Sequence, residues 1–226
     1  MAKIKWGMIV TDGRGKLGGQ VFSKNRSGAY IRTKVTPSNP RTADQMAGRS
    51  ILGSLSASWS GLTDEQRRLW NNAVEEWQKT DIFGDSRKPT GKNLFTGINK
   101  EIEQSGGTRI LVPPVKVVMP ELPELEPVVE ISAQEATLGI TSVPAGFVLQ
   151  VSATAQLSKG TTFVKDKLRV IGYQASGTVD STKVYSQYVA KFGAPTAGAN
   201  IHFAVKLVAE TGQAGVRVTA KADVQA

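Results

Sequence analysis

Five of the chain's ten prolines fall between Val112 and Pro127, in "VPPVKVVMPELPELEP". Proline has no amide donor and clashes with the preceding helical turn, so neither a helix nor a central strand can run through this stretch. An extended, semi-rigid spacer is the expectation, over residues 113–127. The 226 residues must therefore be built from one part before the spacer and another after it.

The part after it, residues 128–226, has the alternation of strands. "FVLQVSATAQ" places Phe147, Leu149, Val151 and Ala153 on one face. "KLRVIGY", "KVYSQYVAKF", "NIHFAVKLVAE" and "GVRVTAKADV" follow, separated by Gly, Asn, Ser and Asp. With Val128–Ile131 and Thr137–Ile140 these make about seven short strands, the spacing of an antiparallel β-sandwich of immunoglobulin or fibronectin type III style. The chain has no cysteine, so the antibody-type Cys–Trp–Cys pattern is missing.

The part before the spacer divides again. Residues 42–112 read as helical. Thr42 with Gln45, and Thr63 with Gln66, are capping-box pairs. Behind them Ile51, Leu55 and Trp59 share one apolar face, and Trp70, Val74 and Trp77 another. The short join Ser60-Gly61-Leu62 predicts an antiparallel helical hairpin. Leu94 or Phe95 with Ile98 and Ile102 predicts a third helix, stopped by Gly106-Gly107. Three of the four tryptophans sit at helical spacing with other apolar residues and are expected in a core. Residues 1–41 are a basic, Gly-rich β arm with strand-prone pieces at Met8–Val10, Gln20–Phe22 and Ala29–Ile31. Such an arm has few residues with which to make its own core, so ordering against its helices or another subunit is expected. The fold class read from the sequence is α+β: β arm, helical hairpin and third helix, Pro-rich linker, C-terminal sandwich.

Charge is as segregated as pattern. Residues 1–50 hold ten Lys/Arg against two Asp, a net +8, while the whole chain carries +9. A solvated arm, an acidic protein neighbour and nucleic acid are the readings of such a segment. Arg14, Lys16, Lys24, Arg26, Arg32 and Lys34 are the candidate contacts to a charged partner. Val21, Phe22, Tyr30 and Ile31 are the candidate assembly contacts. "MAKIKWGMIV" has no long apolar core of a signal peptide, and no run reaches the ~18 apolar residues of a membrane span. The expectation is a protein made in a cytoplasm, with no transmembrane segment.

The residues offer little to catalysis. Gly13, Gly15 and Gly18 satisfy the Gly-x-Gly-x-x-Gly pattern, which binds dinucleotides only when a helix follows it and an acid stands about 20 residues on. Here "GQVFS" follows with strand alternation, and Thr36-Pro37-Ser38-Asn39-Pro40 occupies the place of the acid. These glycines read as turns. His202 is the single histidine, so neither a triad nor a multi-His metal site can be assembled. Glu75 and Glu76 read as the solvent face of a helix, and Glu121, Glu124 and Glu126 lie on the spacer. Asp81 and Asp85 flank a turn that lacks Ca²⁺-site spacing. The expectation is no enzyme, no cofactor, and no catalytic or metal site.

One resemblance runs through these pieces. "GKLGGQVFSKNRSGAYIRTKVTPSNPRTADQ", "SASWSGLTDEQRRLWN" and "GDSRKPTGKNLFTGIN" resemble a family of virion-associated proteins of tailed bacteriophages and prophages. Its members run a Gly-Gly-x-Val-Phe-Ser-x-Asn-Arg-x-Gly-x-Tyr stretch into x-Pro-x-Asn-Pro-x-Thr. The likeness is strong to about residue 105 and a matter of pattern beyond. It implies a structural role by assembly, as a capsid-associated, neck or tail component of the virion. Its partners would be other virion proteins and further copies of itself, and no catalytic residue comes with it. Packaged nucleic acid, met through residues 1–50, is the alternative partner.

Overall fold

The computed structural model describes residues 2–158 and 160–225 and is of mixed α+β class. It contains two compact units, residues 1–50 with 78–88, and residues 51–77 with 89–226.

The first unit is a four-stranded antiparallel sheet. Its strands are β1 (Ala2–Ile4), β2 (Gly15–Leu17), β3 (Gln20–Asn25) and β4 (Gly28–Thr33), in the order β1-β4-β3-β2. The glycine pattern serves this sheet. Gly18, at φ +54°, turns β2 into β3, and a side chain on Gly13 would strike the Trp6 indole at 2.7 Å. Asn25 Oδ1 accepts from Ser27 N (2.8 Å) to close the next turn. Met8–Val10, expected as a strand, lies outside the sheet with Met8 and Ile9 almost fully exposed. No strand pairs with it, and apolar alternation alone does not hold a strand. The unit is completed by a small hairpin, β5 (Lys79–Thr80) with β6 (Ser86–Arg87), and by the first turns of α1 (Ala43–Gly61), up to Ser50.

The second unit has two apolar clusters. One is helical. α2 (Asp64–Ala73) starts at the expected capping box, with Thr63 and Gln66 satisfying each other's amides. α3 (Gly91–Gln104) packs against it. From α1, Leu55 and the half-buried Ile51 and Trp59 join the same cluster as Trp70, Phe95, Ile98 and Ile102. The apolar spacing that marked these helices is the spacing that is buried. α2 ends sooner than its pattern, and Val74 and Trp77 are buried from the turn that follows.

The other cluster lies in a curled sheet of β7 (Val128–Glu130), β8 (Glu135–Thr137), β10 (Phe147–Ala153), β11 (Arg169–Gln174), β13 (Asn200–Ala209) and β14 (Val218–Gln225). The strand order is β11-β10-β13-β14-β7-β8. All pairings are antiparallel except β14 with β7. β9 (Ser142–Val143) and β12 (Gly177–Thr178) form a separate pair. The expected strand "KVYSQYVAKF" is instead helix α4 (Ser181–Phe192). Strand alternation would split its apolar side chains between two faces. Helical spacing gathers Val184, Tyr185, Tyr188, Val189 and Phe192 into one stripe. Asp180 caps it by accepting from Lys183 N (3.0 Å), and Gly193 ends it. α4 touches both outer strands, β8 and β11, so the sheet wraps around it. A single curled sheet with a helix in its hollow, plus one two-stranded pair, stands where two facing sheets were expected.

The two clusters adjoin within this unit. Odd-numbered residues of β10 and β13 face α4, while even-numbered ones such as Gln150, Ala204 and Lys206 face the other way. Lys206 Nζ meets Glu101 Oε2 of α3 at 2.7 Å with both side chains mostly buried. The Pro-rich stretch lies along this unit. Gln213 clasps Val117 by accepting from its amide (2.8 Å) and donating to its carbonyl (2.7 Å), and Leu125 is buried. Gly212, in the β13–β14 turn, has φ +77°, and a Cβ there would lie 2.6 Å from Ile98 O and 2.7 Å from Ile98 Cγ2. Gly212→Ala is expected to cost at least about 1–3 kcal/mol in urea unfolding, because both the backbone and the α3 contact must give. A loss within about 0.5 kcal/mol would mean the turn does not seat on α3.

Candidate assembly surface

In the first unit none of the described residues is buried. That is unusual for strands of this composition, because a sheet stabilises itself by covering at least one face. The register shows what is left uncovered. Phe22 stands opposite both Gly15 and Ile31, and Ile31 opposite Ala2. Alternation adds Leu17, Ala29 and Ile4 to this face. It is apolar, with Leu17 70% exposed. The Trp6 indole lies over Phe22 with ring centroids 5.9 Å apart.

The opposite face carries Lys16, Val21 and Arg32 in one cross-strand row, and Lys3, Tyr30 and Ser23 in another. Lys34, whose amide donates to Gly19 O (2.8 Å), continues the alternation on this side. The structure therefore divides the candidate residues. Phe22 and Ile31 share the apolar face, and Val21 and Tyr30 lie on the basic one. Of the candidate cations, Lys16, Arg32 and Lys34 come together. Lys24 belongs to the apolar face, in the row of Ala29 and Ile4, and lies 3.9 Å from Asp12. Arg14 also approaches Asp12, at 3.8 Å, and Arg26 sits in the β3–β4 turn.

The β5–β6 hairpin is tied to this sheet by charge. Asp81 accepts from Lys3 Nζ, from Phe83 N (2.8 Å) and from Asp85 N (3.1 Å). Asp85 pairs with Lys5 at 2.9 Å, and the Lys5 ammonium lies 5.3 Å from the Phe83 ring centre. Nothing in local spacing signals these pairs, since Lys3 and Asp81 are 78 residues apart. The hydrogen bond from Lys3, and after it the Phe83 amide, hold the Asp81 carboxyl below its ordinary value of 3.8, against a smaller opposing effect of burial. A carboxyl lowered on folding stabilises above its unfolded value and loses that contribution as pH falls through the folded one. The hairpin is therefore expected to stay docked at neutral pH and down to about pH 4, and to release below it. Asp81→Asn should release it at pH 7, read from amide NMR shifts of residues 79–87. Unchanged shifts in that variant would mean the ion pair does not hold the hairpin.

The remaining titratable groups do not converge on a site. His202 faces Lys221 across the β13–β14 pair, and burial, then that lysine, lowers its pKa. Burial pushes the phenol of Tyr188, on α4, up to about 12, so it stays protonated. Among the described residues no group of three His, Asp or Glu is placed to hold a metal ion, and no helix is long and apolar enough to cross a membrane. Compared with known proteins, the chain matches no protein-family model, no curated protein and no solved structure.

Proposed function

We propose that this chain is a non-enzymatic structural protein of a tailed-bacteriophage particle, assembling in many copies through its N-terminal unit and helices. It would be made in the host cytoplasm and act in the virion as a capsid-associated, neck or tail component. The observation that carries the reading is the first unit, which has two well-patterned faces and no buried residue among those described. A sheet with no buried residue of its own gains burial from a neighbour. Residues 43–50 of α1 are likewise exposed throughout. The phage setting rests on the motif resemblance of residues 15–45, 56–71 and 84–99. In this reading the C-terminal half is an outward interaction module. Immunoglobulin style is its finer description, with α4 and the β9–β12 pair in the place of a second sheet. Mass spectrometry of purified particles tests the proposal, which fails if the protein is missing from them.

A second reading has its own observation. Lys16, Arg32 and Lys34 share a face with Tyr30 and Val21, a mixture that suits phosphates and stacked bases. Nucleic-acid binding through residues 1–50 would appear in a gel shift as affinity falling steeply with salt.

A further inference from the structure

Of the four cations on the basic face of the N-terminal sheet, Lys3 is paired with Asp81 and the other three meet no carboxylate among the described residues. Lys16, Arg32 and Lys34 are exposed, and among the described residues none of them forms an ion pair. The same chain carries the opposite charge in one block. Between Lys116 and Lys159 stand five glutamates and no Lys, Arg or Asp. Glu121, Glu124 and Glu130 of this block are exposed, and among the described residues none of the five pairs with a cation. Two of them oppose each other, because Glu130 on β7 is the register partner of Glu135 on β8. Like charges directly opposite across a strand pair are destabilising, so this end of the curled sheet holds a repulsion that a basic partner relieves.

We propose that the basic face of the N-terminal sheet in one copy docks on the glutamate block of a neighbouring copy. This rests on the assembly reading above and names the surface the sheet meets. Charge decides between the two ways a second copy could cover that sheet. Arm on arm sets one net +8 segment against another, whereas arm on block sets it against five uncompensated carboxylates. The contact joins two different surfaces, so it is heterologous. Such contacts propagate into rings or filaments instead of stopping at two copies.

A charge swap on the full chain tests this by sedimentation. The arm swap is Lys16→Glu, Arg32→Glu and Lys34→Glu, and the block swap is Glu121→Lys, Glu124→Lys and Glu130→Lys. The wild-type chain is expected to self-associate at about 0.05 M salt and to weaken about tenfold or more by about 0.5 M, because exposed pairs are screened. Each swap alone should sediment as a monomer. Their equimolar mixture should associate again, since each supplies the surface the other has lost. A block swap that associates like wild type overturns the docking proposal, and so does a mixture that stays monomeric while wild type associates. If only the arm swap dissociates, the arm still mediates assembly but on another surface, and the reading of function survives. A wild-type chain that is monomeric at every concentration overturns both. Glu→Gln versions of the block, checked by circular dichroism, replace the lysine set if that set misfolds. They are expected to weaken association about tenfold.

Discussion

Deletion of residues 1–41 is expected to abolish incorporation into particles while leaving the rest of the chain folded. The two halves of that result follow from one fact, that none of the described residues in 1–50 is fully buried. Their removal opens no cavity in either apolar cluster, so the melting temperature of the remainder should fall by less than about 2–4 °C, equivalent to under about 1 kcal/mol. It does remove the apolar face of Phe22 and Ile31 and the basic face of Lys16, Arg32 and Lys34. Incorporation, quantified as copies per purified particle, should drop to background. A truncated protein found in particles at wild-type level would put the contact in the other half of the chain. A truncated protein that no longer melts cooperatively would mean the first unit stabilises the second.

The largest effect on stability is expected at Trp70. Its side chain is fully buried, packs edge-on to Phe95 with centroids 5.3 Å apart at 88°, and donates from Nε1 to Leu111 O at 2.9 Å. Trp70→Ala removes the ring from the centre of the helical cluster and leaves the Leu111 carbonyl without its donor. The cost should be about 3–5 kcal/mol in denaturant unfolding. That is a large part of the ~5–15 kcal/mol by which most domains are stable, so the variant is expected to express poorly. Trp70→Phe keeps most of the apolar contact and should lose less than half as much. A loss below about 1 kcal/mol for the alanine variant would show that α2, α3 and the 108–112 segment do not close around this ring.

How far the sequence reached depended on the range of the interaction. The capping pair Thr63–Gln66, the buried face of α3 and the turns around Gly18 and Asn25 were legible, because each is decided within a few residues. The division of the arm into two faces follows from alternation once pairing is known. Pairing sets Val21 apart from Phe22, and Tyr30 apart from Ile31. Helix α4 was misread because Val184, Tyr185 and Tyr188 are β-branched or aromatic residues that satisfy both periods over a short run. Only the Asp180 cap and the Gly193 stop marked it locally. Contacts that join distant segments left no trace in spacing. Lys3 with Asp81, Glu101 with Lys206 and Val117 with Gln213 pair across 78, 105 and 96 residues. The Pro-rich stretch carries no helix or strand over residues 113–127, and its burial of Leu125 against the β half is visible only with the partners in place.

The parallel pairing of β7 with β14 has a consequence for the order in which a growing chain can fold. β7 begins at Val128, and its partner runs from Val218 to Gln225, so the partner is synthesised well after it. At about 5–20 residues per second, β7 and β8 wait several seconds for the strand that fixes them to the curled sheet. The glutamates they carry are not held in place until that strand has emerged. The basic arm, made before β7, thus has no completed glutamate surface to meet on a nascent chain. The fold itself delays copy-to-copy contact until β14 has paired with β7.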